Sequence, residues 1–66
     1  MIHYVKMGNS VFEMETITEF DITKNEEQEI IAEMNAKQWR HYRTIQHEYG
    51  RVMQWNVIFM REVSTK

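Results

Sequence analysis

Cysteine is absent from this chain of 66 residues, and histidine occurs only three times. Without cysteine no disulfide framework can form, and His3, His41 and His47 lack the spacing of a zinc site. A chain of this length buries only about 60% of the surface that its unfolded form exposes. The sequence therefore predicts that the hydrophobic core stabilises the fold alone, or that a partner chain adds to it.

The chain also lacks a glycine-rich phosphate loop and any nucleophile with a base close to it in sequence. We therefore predict no enzymatic activity, no metal and no cofactor. No apolar run approaches the ~20 residues that span a bilayer, and no basic leader precedes Ile2, which predicts a cytoplasmic protein without a membrane partner. The net charge of −2 argues against general binding to phosphate backbones.

Two segments rich in β-branched and aromatic residues, 2–7 and 11–22, are separated by a Gly-Asn-Ser sequence typical of a tight turn. A two-residue loop with glycine at the position of positive φ predicts a hairpin with Val5 opposite Phe12. The even-numbered residues of the second strand, from Phe12 to Ile22, include most of its large apolar side chains. We expect that side of the strand to face the core.

One long amphipathic helix is predicted over residues 24–49. Thr23 and Glu26 match a capping box at its start, and Gly50 supplies the left-handed position that often follows the end of a helix. Acidic residues lie in the first half and basic residues in the second, which suits the helix dipole. A helix with a kink near Asn35 is the alternative.

Residues 51–63 alternate again, with their odd-numbered residues predicted to face the helix. The sequence therefore predicts one α+β domain over residues 1–66, in the order β-β-α-β, with a three-stranded sheet of order 2-1-3 and the long helix packed on one face. The first strand is half as long as the other two. Unless the long strands bend apart, this leaves a slot flanked by residues 16–22 and 58–63.

Trp39, Arg40 and Arg43 are predicted to lie on or beside the exposed basic side of the helix. Tryptophan and arginine are common anchors of protein interfaces, so we predict that these residues contact a partner. Interleaved basic and aromatic residues are also typical of proteins that bind single-stranded nucleic acid. The simpler alternative is a solvated basic side on a helix with a matched dipole.

Ile17, Ile58 and Met60 are predicted to lie on the outer face of the sheet, which no second layer covers. Apolar residues grouped on such a face are typical of a surface that binds a partner or a second copy of the chain. The alternative is a scatter of ordinary surface hydrophobic residues.

The predicted order of elements and the chain length are similar to those of small bacteriophage proteins that bind and inhibit host RNA polymerase, and more loosely to phage inhibitors of other host enzymes. The resemblance is architectural and carries over no functional residues. It implies a small non-catalytic interaction protein, encoded by a phage or mobile element, that binds and blocks a host enzyme. The alternatives are a nucleic-acid-binding regulator that uses the basic half of the helix, and a structural homodimer.

Overall fold

A computed structural model describes residues 2–63 as four strands and one helix. In chain order these elements are β1 (Ile2–Met7), β2 (Ser10–Phe20), α1 (Lys24–Ala36), β3 (Arg40–Tyr49) and β4 (Val52–Val63). The strands pair antiparallel in the order β1-β2-β4-β3, and α1 lies on one side of the sheet. The molecule measures 46 × 23 × 17 Å, as expected for one sheet layer and one helix layer.

The α+β class is compatible with this structure, but the predicted three-stranded sheet of order 2-1-3 with one long helix is wrong. Residues 40–49, predicted as the second half of the helix, form β3 instead. The alternative of a kink near Asn35 is also wrong, because the helix ends there rather than bends. The predicted slot between residues 16–22 and 58–63 is closed, because β2 pairs directly with β4.

The helix ends at Ala36 because Gln38 adopts a left-handed backbone conformation with a φ of 71°. The Gln38 N–H donates to the Asn35 carbonyl at 2.9 Å, and the Trp39 N–H donates to the Met34 carbonyl at 3.0 Å. These two bonds define a Schellman motif, and the side chains of Met34 and Trp39 then meet in the core. Glycine is the usual residue at the position of Gln38, so the sequence carries no obvious stop signal there.

Gly50 was predicted to end the helix, but it lies in the turn between β3 and β4. Tyr49 pairs with Val52 across a two-residue loop, and the φ of Gly50 is +60°. The first hairpin has the same geometry, with Gly8 at a φ of +62°. A positive φ at the first central residue alone is typical of a type II′ turn, whose twist matches that of the strands.

Two local predictions from the sequence are confirmed. β1 and β2 pair in the predicted register, with Val5 opposite Phe12. At the start of α1 the Thr23 hydroxyl accepts a hydrogen bond from the Glu26 N–H at 3.1 Å, and the Glu26 carboxylate accepts one from the Thr23 N–H at 2.9 Å. This capping box satisfies two of the backbone donors that a helix leaves open at its start.

The core lies between α1 and the two central strands. Val57 and Phe59 of β4 are fully buried, in agreement with the prediction that the odd-numbered residues of this strand face the helix. Ile17 of β2 lies opposite Val57 and packs against the same cluster. The buried apolar residues are Met34, Trp39, Trp55, Val57 and Phe59.

The prediction that the even-numbered residues of the second strand face the core is wrong for β2. Antiparallel pairs share a face, so the match of Ile17 with Val57 turns Phe12 and Phe20 away from the helix. After the strand, Asp21 adopts a left-handed conformation with a φ of 53°, and Ile22 then lies beside α1. The register with β4, which requires a strand neighbour that the sequence did not reveal, decides which side of β2 is covered.

Candidate partner-binding surfaces

The sheet has one face without a helix, and four of the six residues predicted to bind a partner lie on it. Arg40 pairs with Met60, and Arg43 pairs with Ile58, across β3 and β4. A β-bulge between His41 and Arg43 keeps both arginines on this face, because it inserts Tyr42 as an extra residue. The predicted outer-face position of Ile58 and Met60 therefore holds, whereas the two arginines occupy a strand rather than a helix.

We call this surface the helix-free face. Its apolar centre consists of half-buried side chains from all four strands: Val5, Phe12, Met14, Ile45, Ile58 and Met60. One end is polar, since the Thr18 hydroxyl donates to Asn56 at 2.9 Å and the Asn56 amide donates to Gln54 at 3.2 Å. Arg40 and Arg43 of β3 lie beside the apolar centre, opposite Met60 and Ile58 of β4.

A shallow depression of about 340 Å³ lies beside Arg40, where the start of β3 meets the end of β4. Phe12, Tyr42 and Met60 line it with apolar and aromatic surface, and Arg40, Arg61 and Glu62 provide charge. Tyr42 is more than half exposed because the bulge leaves it without a cross-strand partner. An aromatic side chain beside arginine on a fixed strand is the kind of group that anchors protein interfaces.

The whole chain exposes more surface than a compact monomer of its size. Its accessible area is 5171 Å², whereas about 4500 Å² is expected for a folded chain of 8.1 kDa. Among the described residues, no second layer covers the helix-free face. The described part of the sheet therefore has one side left open.

Trp39 was predicted to be exposed, and this prediction is wrong, because only 5% of the residue is accessible. The error follows from the predicted length of the helix. The helix ends at Ala36, so Trp39 lies beyond its C-terminal turn and packs against the core. The guanidinium of Arg61 lies 4.2 Å from the centre of the Trp39 ring, and its Nε donates to Glu13 Oε2 at 2.8 Å. Trp39 is thus held inside the domain, and the exposure that suggested a partner contact is absent.

Ile17 was expected on the outer face, and this expectation is also wrong. It lines an open groove of about 530 Å³ between α1 and β2, on the helix side of the sheet. We call this cavity the acidic groove. Its floor is apolar, with Ile17, Ile22, Ile30, Met34 and Trp39, and its rim carries Glu15, Glu19, Glu26, Glu29 and Glu33, together with Lys37.

The sequence analysis did not predict the acidic groove, because it placed the wrong side of β2 toward the core. A signal was nevertheless present in the spacing of the glutamates. Glu15 and Glu19 share one side of an extended strand, and Glu26, Glu29 and Glu33 share one side of a helix at intervals of three and four. Two acidic faces on consecutive elements predict a negatively charged groove once the two elements pack together.

Glu27 is a buried carboxylate beneath the helix, with only 3% of the residue accessible. A hydrogen bond from the Thr44 hydroxyl and the nearby Lys24 ammonium, 3.5 Å away, lower the pKa of Glu27, while burial acts in the opposite direction. The His41 Nε2 lies 2.8 Å from the Thr44 hydroxyl oxygen. Glu27 of α1 thus lies beside Thr44 of β3.

Acidification is expected to weaken the fold through Glu27. Because the folded-state pKa lies below the ordinary value of 4.5, the unfolded chain binds this proton more readily. The stabilisation from Glu27 is thus fully present above pH 4.5 and is lost as the pH falls through the lowered pKa. At pH 7 we expect Glu27→Gln to lower the free energy of unfolding by about 1–3 kcal/mol.

Urea denaturation at several pH values between 7 and 3 measures this effect. The difference in the free energy of unfolding between wild type and Glu27→Gln should become smaller as the pH falls. Glu29→Gln is the matched control at pH 7, because it changes an exposed glutamate of the same helix. A gap that stays constant with pH, or an equal loss in the control, would contradict the role of the buried carboxylate.

Within residues 2–63, no group of three or more histidine, aspartate or glutamate side chains is arranged to hold a metal ion. The helix in this part of the chain is too short and too polar to cross a membrane. No family model, curated protein or solved structure matches the chain.

Proposed function

We propose that the protein is a small non-catalytic interaction module that binds a protein partner through the helix-free face. The observation that carries this proposal is the juxtaposition of Arg40 with Met60 and of Arg43 with Ile58 on a sheet face without a covering layer. Apolar surface beside arginine is the composition of interface centres. The partner is then a protein surface that is apolar in its centre and acidic at its rim.

The backbone supports this use of the face. The contact residues lie on paired strands rather than on loops, so their backbone is already ordered before binding. Little conformational entropy is therefore lost when a partner covers them. Half-buried Ile58 and Met60 still expose apolar area, and removing that area from water is favourable at about 25 cal/mol per Å².

Inhibition of a host enzyme by a phage or mobile-element protein stays a prediction within this proposal. The resemblance behind it depended on a β-β-α-β order, whereas the chain has a fourth strand and a shorter helix. The proposal therefore depends on the helix-free face and not on that resemblance. Binding of a second copy is less well supported, since the face carries Arg40 and Arg43 against a single carboxylate, Glu62, and two copies would bring like charges together.

Nucleic-acid binding is the second candidate function. The basic half of the helix, which suggested it, does not exist as a helix, but Arg40 still lies near Phe12 and Tyr42, and Arg43 lies on the same helix-free face. Exposed aromatic side chains on an antiparallel sheet can stack on bases, and arginines can contact phosphates. Two arginines can neutralise only a few phosphates, and a protein partner is therefore favoured.

Ile58→Glu is expected to weaken binding of the protein partner at least tenfold, because it puts a charge into the apolar centre of the contact. Gln54→Glu is the matched control, since it adds the same charge to the polar end of the same face. Wild type and both variants are immobilised, and the proteins that each retains from a cell lysate are quantified. The affinity for the protein that Ile58→Glu fails to retain is then measured by titration.

Equal retention by all three proteins would contradict the assignment of the helix-free face. Salt dependence separates the two candidates. If the ligand is nucleic acid, Arg40→Ala and Arg43→Ala should each reduce the slope of log affinity against log salt by about one unit. A protein contact centred on Ile58 and Met60 predicts a much smaller change.

A further inference from the structure

The edge of β2 is paired for only half of its length. β1 pairs with Ser10 through Glu15, and Ile2 is opposite Glu15. Among residues 2–63, no strand continues beyond Ile2 along the segment Thr16–Phe20, whose other side pairs with β4. This segment, which we call the open edge, is about 17 Å long at ~3.3 Å per residue.

The open edge presents backbone donors and acceptors in a known pattern. The two-residue turn makes Met7 and Ser10 a hydrogen-bonded pair, so the even-numbered residues of β2 direct their N–H and C=O groups toward β1. The same alternation puts the N–H and C=O groups of Thr16, Thr18 and Phe20 on the open edge. All three residues are exposed. Unpaired strand edges of this kind accept a further strand.

The acidic groove lies directly beside the open edge. Ile17 and Glu19 belong to the open edge and also line the groove, because their side chains point to the helix side. A strand added at this edge would send every second side chain in the same direction, over Ile17 and Glu19 and toward α1. Those side chains would meet an apolar floor and the carboxylates of Glu26 and Glu29.

We propose that the open edge and the acidic groove together bind an extended peptide segment of a partner protein, in which lysine or arginine alternates with apolar residues on the side facing the groove. Backbone hydrogen bonds to Thr16, Thr18 and Phe20 hold the segment, and the groove selects its side chains. The site does not include the apolar centre of the helix-free face, so neither proposal depends on the other.

Charge complementarity determines the chemistry of the partner. Five glutamates and one lysine, Lys37, line the groove, so an acidic peptide or a phosphate group would be repelled. A basic side chain long enough to lie on Ile17 and Ile30 can cover apolar surface with its methylene groups and still reach a carboxylate. Lysine and arginine have this combination.

The probe is a capped synthetic peptide, Lys-Thr-Val-Thr-Lys-Thr-Val, whose lysines and valines share one side of an extended strand. We expect it to slow amide hydrogen exchange at Thr16, Thr18 and Phe20 and to shift the NMR signals of residues that line the acidic groove. Replacing both lysines with glutamate should abolish binding. In a peptide that pairs antiparallel with β2, as β1 does, the threonine nitrogens are the donors toward the edge, so methylating them should weaken binding at least tenfold.

Thr18→Pro provides the matching change in the protein, because it removes one N–H from the open edge, where proline is tolerated. Thr18→Ala keeps the N–H and is its control. We expect at least a tenfold loss of peptide affinity for Thr18→Pro and little change for Thr18→Ala.

Three results would overturn the proposal: equal binding of the methylated peptide, equal binding of the glutamate peptide, or peptide-induced shifts confined to the apolar centre of the helix-free face. Exchange of Thr16, Thr18 and Phe20 that is already slow without peptide would also overturn it, since a second copy or another segment would then occupy the edge. Should Thr18→Pro fail to fold, the methylated peptide still decides the outcome.

Discussion

Trp39→Ala is expected to lower the free energy of unfolding by about 3–5 kcal/mol, because it removes a large buried side chain and leaves a cavity. It also removes the ring on which the Arg61 guanidinium lies. A chain of this length has a total stability of roughly 3–10 kcal/mol. The variant should therefore unfold at a much lower urea concentration, or be unfolded without urea.

Trp39→Phe is the control for this prediction, since it keeps an aromatic ring in the same cavity and should retain a cooperative urea transition. If Trp39→Ala keeps wild-type stability and instead loses binding to a partner, Trp39 is an exposed anchor after all. The position of Trp39 under the Schellman turn would then be wrong.

Phe59→Ala should have an effect of similar size. Phe59 is fully buried at the centre of β4, and the ring of His41 lies 5.8 Å from its own. Truncation of a buried phenylalanine lowers the free energy of unfolding by about 3–5 kcal/mol. Thermal and urea denaturation measure the loss in the free energy of unfolding. The fraction of the variant that is folded without urea has to be measured as well, because a loss of this size can unfold part of it.

Phe20→Ala is the matched control, because it makes the same substitution at a residue that is 56% exposed. Its expected effect is about 0.5 kcal/mol, in the range of ordinary surface changes. Equal losses in the two variants would contradict the assignment of the core to the helix side of the sheet.

The start of α1 can be predicted from the sequence, but its end cannot. Thr23 and Glu26 form a capping box that can be read directly from the sequence. The C-terminal end depends on Gln38 in a left-handed conformation, where glycine or asparagine is expected. Without a stop signal, the polar and basic residues after Ala36 fit a helical pattern as well as a strand, and Gly50 provides a misleading later end.

The faces of the sheet could be predicted only in part, because strand neighbours are a property of the whole fold. The alternation in β4 identified Val57 and Phe59 as core residues. In β2 the same reasoning selected the wrong side, because the side with Phe12 and Phe20 carries more large apolar residues than the side with Ile17. The pairing of Ile17 with Val57, which depends on β3 being a strand and β4 lying beside β2, reverses that choice.

The candidate sites follow the same division. Ile58 and Met60 were correctly expected on an uncovered face, because the alternation in β4 was read in the right phase. Arg40 and Arg43 join them for a reason that the sequence did not reveal, the β-bulge at Tyr42. The acidic groove requires the correct face of β2 and the correct end of the helix at once, and so it became visible only in the folded structure.

The central claim is that residues 40–49 form a strand beside β4, which brings the arginines to the helix-free face. NMR contacts between Hα atoms test it most directly. Counting from the turn between Tyr49 and Val52, Gln46 and Trp55 are a pair without direct hydrogen bonds, in which the two Cα atoms are about 4.5 Å apart. We predict a strong Hα–Hα contact between Gln46 and Trp55. Contacts between residues three apart within 40–49, as in a helix, together with pairing of residues 2–7 with 51–63, would contradict the fold and both proposed sites.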